Sequence, residues 1–434
     1  MRYVAYIGDP AVWVIPITSG GNRFAMGKGS IKGDFPLLDS VVHLASASRG
    51  PLPGVSLKDM TGAMAGMYSV PDDEVVHLCE NSTERCRKLA SRLLGCNRSE
   101  VAMVFNTTHG INSLASGIDW ERGDVVVLPD IEYPANVVPW LNQGGRGVRV
   151  RVVPTQGGMV DPDVLESMVD EKTRVVALSH VEFSNGFRND LRSISELVHG
   201  HGGLLFVDAA QSLGVVETDV RRLGIDSLST CGYKWLCSPP GTGIFYLRKD
   251  LVGEVKPAYA GFESVDPEMF RALYSELQRD GWTAGMDYPP SPGANRFEFG
   301  EPNLIPNVAF ARSMEYLLGL GKRRVEKRSS KIVEYLLGRL GECGYDVLTP
   351  ADPSMRAGIV TFRAGDGEIP NWEVARRLRE MGILVSARYG GIRISCHVFN
   401  DSGDVDSLLD GIDEITRGGP SGQHDEDVQA IENQ

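Results

Sequence analysis

The stretch that decides the fold is Leu204-Leu205-Phe206-Val207-Asp208-Ala209-Ala210-Gln211. Its apolar run has the length and composition of a buried strand, and the acid at its end falls where a parallel strand hands over to a crossover. A further strand-like run over 226–230 leads into Cys231-Gly232-Tyr233-Lys234-Trp235. An acid, Asp208, and an amine, Lys234, are therefore expected to follow adjacent strands. Pyridoxal phosphate requires that pair: an amine to hold its aldehyde carbon covalently, and a carboxylate to keep the pyridine nitrogen protonated so that the ring accepts electrons.

Outward from this core, strand-like runs occur at 101–105, 125–128, 148–153, 174–178, 204–207, 227–230 and 243–247. Helical periodicity covers 72–94, and amphipathic stretches at 161–169 and 191–199 separate later strands. Such alternation predicts an α/β fold with a mostly parallel sheet covered on both faces. From about residue 306 the pattern changes. Two long helical runs, 307–318 and 323–343, precede strands at 359–362, 383–386 and 392–395 and a helix from 405, which reads as a smaller α+β domain. Pro289-Pro290-Ser291-Pro292-Gly293 marks a loop between the parts. The expected organisation is an N-terminal arm at 1–38, a large cofactor-binding domain at 39–305, a small domain at 306–417 and a polar, acidic, disordered tail at 418–434. Within the arm, Val12-Trp13-Val14-Ile15-Pro16-Ile17 is an apolar patch suited to packing on a partner subunit, or a segment upstream of an alternative start at Met26.

The chain has 434 residues, 42% hydrophobic and 23% charged, which is the composition of an ordinary soluble globular protein. Its net charge of −13 disfavours nucleic acid and anionic membrane as partners, so an anionic small molecule must be held by local arginines or helix ends. Seven cysteines, scattered without metal-ligand spacing, point to a reducing compartment and to no metal. No apolar stretch reaches membrane-spanning length, and 1–36 lacks the ordered regions of a signal peptide, so the cytoplasm is the expected location.

Val207-Asp208-Ala209-Ala210-Gln211-Ser212, Gly232-Tyr233-Lys234-Trp235-Leu236 and Pro240-Gly241-Thr242-Gly243-Ile244, in that order, resemble the class V aminotransferase family. That family includes cysteine desulfurases, isopenicillin N epimerase-like proteins and cysteine lyases. The resemblance runs from about residue 41 to about 417. It implies pyridoxal 5'-phosphate as cofactor, the fold type I architecture with a seven-stranded large domain, an amino acid as substrate, and a homodimer with active sites at its interface.

Val104-Phe105-Asn106-Thr107-Thr108-His109-Gly110 places hydroxyls between a strand and the next helix, whose free N–H groups favour an anion such as the cofactor phosphate. The resemblance matches Thr108 to the family's phosphate-binding threonine, with Thr107 beside it; an ordinary threonine cap is the bland alternative. Gln211 matches the residue that hydrogen-bonds the cofactor's phenolic oxygen. The run 131–140 resembles the segment that stacks a ring over the cofactor, and it offers Tyr133 where many relatives have histidine. A tyrosine face adds about 0.5–1.5 kcal/mol beyond burial, and its phenol is a candidate acid. His109 is a second candidate near the cofactor, or a capping residue. Thr230 and Tyr233 flank Cys231 and are expected to contact the cofactor. Cys231 itself stands where the family has a phosphate-site serine, with Ser229 or Thr230 expected to compensate.

In the stretch 386–400 the resemblance implies that Arg393 grips the substrate carboxylate, a task suited to a planar guanidinium fork. Arg388 is expected to bind a second acid group or to brace the loop. Phe183 takes the place of the desulfurases' substrate-orienting asparagine, and Asn185, two residues on, is the alternative candidate. Two departures stand out. Only Tyr389 to Ile392 fill the gap where desulfurases carry a nucleophilic cysteine, and Glu301 replaces a common threonine in the loop that reaches the partner's phosphate. The expected activity is therefore that of an aminotransferase or C–S lyase acting at Cα of an amino acid. The alternatives are an epimerase using a second acid and a catalytically degraded scaffold.

Overall fold

The computed structural model describes residues 30–69, 72–281, 288–364 and 369–417. The apolar patch of the arm and the tail from 418 lie outside the described residues. In chain order the strands are β1 (Val42–His43), β2 (Val101–Val104), β3 (Val125–Pro129), β4 (Arg149–Val153), β5 (Thr173–Ser179), β6 (Leu204–Asp208), β7 (Ser227–Cys231), β8 (Gly243–Leu247), β9 (Asp346–Val347), β10 (Ile359–Arg363), β11 (Ile383–Leu384), β12 (Ser386–Arg388) and β13 (Gly391–Ser395). The helices are α1 (Gly54–Met67), α2 (Asp72–Leu94), α3 (Thr107–Gly117), α4 (Val138–Leu141), α5 (Pro162–Met168), α6 (Leu191–Gly200), α7 (Pro267–Asp280), α8 (Leu304–Leu320), α9 (Lys322–Glu342), α10 (Asn371–Glu380) and α11 (Ser402–Arg417). No described helix is long and apolar enough to cross a membrane.

The large domain is built on a seven-stranded sheet in the order β2-β8-β7-β6-β5-β3-β4. Strand β8 is antiparallel to both its neighbours, β2 and β7, and the remaining pairings are parallel. Side chains alternate between two buried faces. Val125 and Val127 join one apolar cluster with Val176, Leu205 and Val207, while Val126 and Leu128 join another with Val175, Ala177 and Phe206. This is why the strands appear in the sequence as unbroken apolar runs: burial on both faces removes the polar alternation of a half-exposed sheet. Asp161 and Asp190 accept backbone N–H bonds at the starts of α5 and α6, which fixes where each crossover helix begins.

The small domain holds an antiparallel sheet in the order β12-β13-β10-β9 and its own apolar cluster, including Val360, Ile392, Ile394, Val374 and Leu408. Three features differ from the sequence reading. Strand β1, expected in the large domain, pairs in parallel with β11, and Leu44 packs in the small-domain cluster. Helix α8, expected in the small domain, places Phe310, Met314 and Leu317 in the large-domain cluster beside Leu89 and Leu93. The run 383–386 is divided between two sheets, because buried Val385 carries the chain from the β1 pairing to the β13 pairing.

Candidate active site

Asp208 and Lys234 follow adjacent strands, as expected, and line one cavity together with Thr107, Thr108, Tyr133 and Tyr233. Asp208 ends β6 and is 4% exposed. One of its oxygens accepts the Ala210 N–H at 2.8 Å. Burial pushes its carboxyl upward in pKa, opposed by that bond and by the charge of Lys234, so the group is a buried acid in want of a cation. Lys234 lies beyond β7 with its ammonium 5.6 Å from the centroid of the Tyr133 ring. Gly50 passes close behind it: a Cβ there would stand 2.1 Å from the Lys234 carbonyl oxygen, so only glycine fits.

Gln211 is held at both ends. The Trp235 indole donates to its oxygen at 2.8 Å, and its nitrogen donates to the Ala47 carbonyl at 3.1 Å. An indole only donates and a carbonyl only accepts, so the amide orientation is settled and one N–H remains for another acceptor.

At the other end of the cavity, α3 presents its N-terminus. Asn106 caps it by accepting the His109 N–H at 2.9 Å, which leaves the Thr107 and Thr108 N–H groups at the helix opening. The helix is pinned to the sheet, since Ser229 Oγ donates to the Thr107 carbonyl at 2.9 Å and Gly110 leaves room for no side chain against Ser229. Cys231 is buried beside Thr107 and Tyr233, and burial raises its thiol pKa against the nearby charge of Lys234.

Three expected contacts fall elsewhere. Thr230 donates its hydroxyl to the Ala209 carbonyl at 3.2 Å, and Ser229 is engaged with Thr107, so neither hydroxyl proton is free for a phosphate. His109 turns away from the cavity: its ring stacks on Phe105 with centroids 5.3 Å apart, Nδ1 accepts the Phe105 N–H, and burial lowers its pKa. It borders a second cavity with Phe299 and Glu301. Asn185 uses both amide protons on the Gly157 and Gly158 carbonyls and its oxygen on the Phe187 N–H, so it braces a loop. Spacing along a strand or turn does not say which way a side chain leaves it.

Arg393 lies on β13 opposite Ser386 and is 2% exposed. One terminal nitrogen donates to the Phe183 carbonyl at 2.7 Å and the other to Ser48 Oγ at 2.8 Å, while Nε has no partner. Burial, aided by the charge of Arg388, draws its pKa down to about 10, which still leaves it charged at neutral pH. A buried cation that makes no ion pair with a carboxylate among the described residues is costly unless an anion joins it. Arg388 is exposed and donates to its neighbour's carbonyl, Ala387 O.

The sequence reading missed a group of buried acids behind Asp208. Glu132 accepts from the Ser179 N–H, from Ser179 Oγ at 2.9 Å and from Asn136 at 3.0 Å. Burial and the nearby Asp208 raise its pKa to about 8. Glu182 is also fully enclosed, and burial and Glu132 push its carboxyl well up. The signal for Glu132 was an acid set between apolar Ile131 and the stacking residue Tyr133.

These groups fit pyridoxal phosphate. Lys234 would hold the aldehyde carbon, Asp208 the ring nitrogen, Tyr133 a ring face, Gln211 the phenolic oxygen, and the α3 N-terminus with Thr107 and Thr108 the phosphate. The buried Asp208 lacking a fixed cation and the buried Arg393 lacking an anion are the charges that such a cofactor and an amino acid would complete.

The family model for aminotransferase class-V matches residues 42–408. A probable cysteine desulfurase of Methanothermobacter thermautotrophicus is 31% identical over 411 residues, covering 89% of this chain and 97% of that one. A cysteine desulfurase of Escherichia coli is 28% identical over 415 residues, covering 89% and 98%. Among solved structures, the complex of a cystine C–S lyase with its product cysteine persulfide has a TM-score of 0.78 at 23% identity, covering 87% of this chain and 99% of that one. The apo cysteine desulfurase of Thermococcus onnurineus has the same TM-score at 22% identity, covering 89% and 98%. The chain therefore belongs to the aminotransferase class-V family and is a pyridoxal-phosphate enzyme of the aminotransferase or lyase kind.

Proposed function

We propose that the enzyme binds an α-amino acid with its carboxylate on Arg393 and its amine at Lys234, and acts at Cα without passing sulfur to a loop cysteine. The observation that carries the reading is the buried Arg393 fork, fixed by Phe183 and Ser48 and lacking a carboxylate partner among the described residues. Bound pyridoxal phosphate supplies an electron sink for the pair released at Cα. The chain's own groups do the rest. Asp208 keeps the proton on the ring nitrogen, Lys234 Nζ takes the Cα proton, and Arg393 fixes which Cα bond faces that amine. Where Lys234 Nζ next delivers that proton, and whether the substrate carries a β-leaving group, would decide between aminotransfer and elimination.

No cysteine among the described residues lines the cavity, the nearby Cys231 and Cys237 are both buried, and the turn between β12 and β13 carries Tyr389 and Gly390. This disfavours transfer of sulfur to a cysteine of the enzyme. A cytoplasmic homodimer completes the reading. Phe105 and Tyr259 are 41% and 68% exposed and both pack on Phe299, next to Glu301, so a second copy would cover an apolar patch at the loop expected to cross between subunits. The test is the visible spectrum of the purified protein before and after an amino-acid panel. A band that bleaches and stays bleached indicates aminotransfer, and a band that recovers with keto-acid release indicates elimination. No band after pyridoxal phosphate is added would refute the assignment.

A further inference from the structure

Phe183 lines the same cavity as Lys234 and is bonded to Arg393. Its carbonyl accepts from Arg393 at 2.7 Å, and its ring meets Tyr133 edge-on with centroids 5.1 Å apart, the same Tyr133 that lies beneath Lys234. An amino acid with its carboxylate on Arg393 and its amine at Lys234 therefore has its Cα beside Phe183. The third substituent, the side chain, must leave along what surrounds Phe183. There the ring series continues: Tyr389 meets Phe183 edge-on at 5.5 Å.

Tyr389 is held in an unusual way. It sits in the β12–β13 turn with φ of 50°, a left-handed conformation that a bulky residue rarely adopts, followed by Gly390 at 70°. Strain of this kind concentrates where a side chain is needed in one place. Burial, with the nearby Glu182 and Asp130, raises the pKa of the Tyr389 phenol. Arg388 on the same hairpin is an exposed opposing cation.

Resting on the reading of Arg393 as the carboxylate anchor, we propose that Phe183 and Tyr389 form the subsite for the substrate's side chain, and that it selects large apolar side chains, aromatic or thioether, over acidic ones. Ring edges and faces suit aromatic groups and polarisable sulfur, whereas a second carboxylate set between the two rings would lose its water without gaining a partner. Arg388 is exposed and already donates to the Ala387 carbonyl, so it stands at the solvent edge and is no buried counter-ion between the rings.

Holoenzyme titrated with L-phenylalanine, L-methionine, L-alanine and L-aspartate, followed by the cofactor's visible band, tests the assignment. L-phenylalanine and L-methionine are expected to bind more tightly than L-alanine, and L-aspartate most weakly. Tyr389→Ala should reduce the ratio of phenylalanine to alanine affinity by about two- to tenfold, the range of one aromatic pair, while Tyr389→Phe should retain it. L-aspartate binding tighter than L-phenylalanine, or an unchanged ratio in Tyr389→Ala, overturns the subsite. If L-alanine also leaves the band unmoved, the anchor reading falls as well, so the two failures are distinct.

Discussion

Replacing Arg393 by lysine separates the anchor role from a purely structural one. The native fork is fixed by two bonds, to Phe183 O and Ser48 Oγ, and offers Nε and the remaining terminal protons to a carboxylate. A bidentate carboxylate contact comprises two charge-assisted hydrogen bonds at about 1.5–3 kcal/mol each. Lysine keeps the charge and one of these, so Arg393→Lys should lose about 1.5–3 kcal/mol, or roughly 10- to 150-fold in amino-acid affinity. The assay is a spectral titration of the holoenzyme with L-alanine and with ethylamine, which lacks the carboxylate. L-alanine should weaken by that factor and ethylamine should not change. Equal weakening of both ligands, or of neither, would refute the reasoning, since a misplaced loop affects every amine alike.

Glu132→Gln should alter the pH dependence of the apo-protein's stability. With its folded pKa raised from 4.5 to about 8, Glu132 keeps a proton in the folded state that the unfolded state has already lost. Stability from this group is therefore full below about pH 4.5 and declines as pH rises toward 8, by up to a few kcal/mol at about 1.4 per pKa unit. His43, His180 and His397, drawn down by burial to about 4, 3 and 4, act oppositely and weaken the fold as pH falls below 6.5. The difference between wild type and Glu132→Gln in thermal scans from pH 5 to 8 isolates the carboxyl; parallel curves would contradict it. Tyr389→Gly should change stability by less than about 1 kcal/mol in urea titration, because relief of the strained φ offsets both the entropy that glycine adds to the unfolded chain and the lost edge contact with Phe183; a larger loss would show that the backbone at Tyr389 stores no strain. Gly50→Ala should displace Lys234 from its position, since its Cβ would meet backbone at 2.1 Å, and equilibrium dialysis should show weakened cofactor retention; wild-type retention would argue that the backbone yields freely.

The large sheet was legible because its strands are buried on both faces and bounded by turn residues, as at Leu204–Asp208. The placement of β1 was not: two residues carry no periodicity, and their partners at Ile383 and Leu384 lie more than three hundred positions away. Helix α8 has apolar residues suited to either domain, and packing against the large-domain core decided its place. Spaced motifs singled out Asp208, Lys234, Gln211 and Arg393; the first three line one cavity, and Arg393 lies buried on β13. His109, Thr230 and Asn185 lie in the right segments, yet their side chains find nearer partners in Phe105, Ala209 and the 157–158 backbone. Ser48, which steadies Arg393, carries no local signal, since that contact spans most of the chain.

The claim that Lys234 carries pyridoxal phosphate is tested most directly by reducing the holoprotein with borohydride and mapping the modified peptide by mass spectrometry. The account predicts a phosphopyridoxyl group on Lys234 and its absence from Lys234→Ala. A label on another lysine, or none on a protein that retains the cofactor, would contradict it.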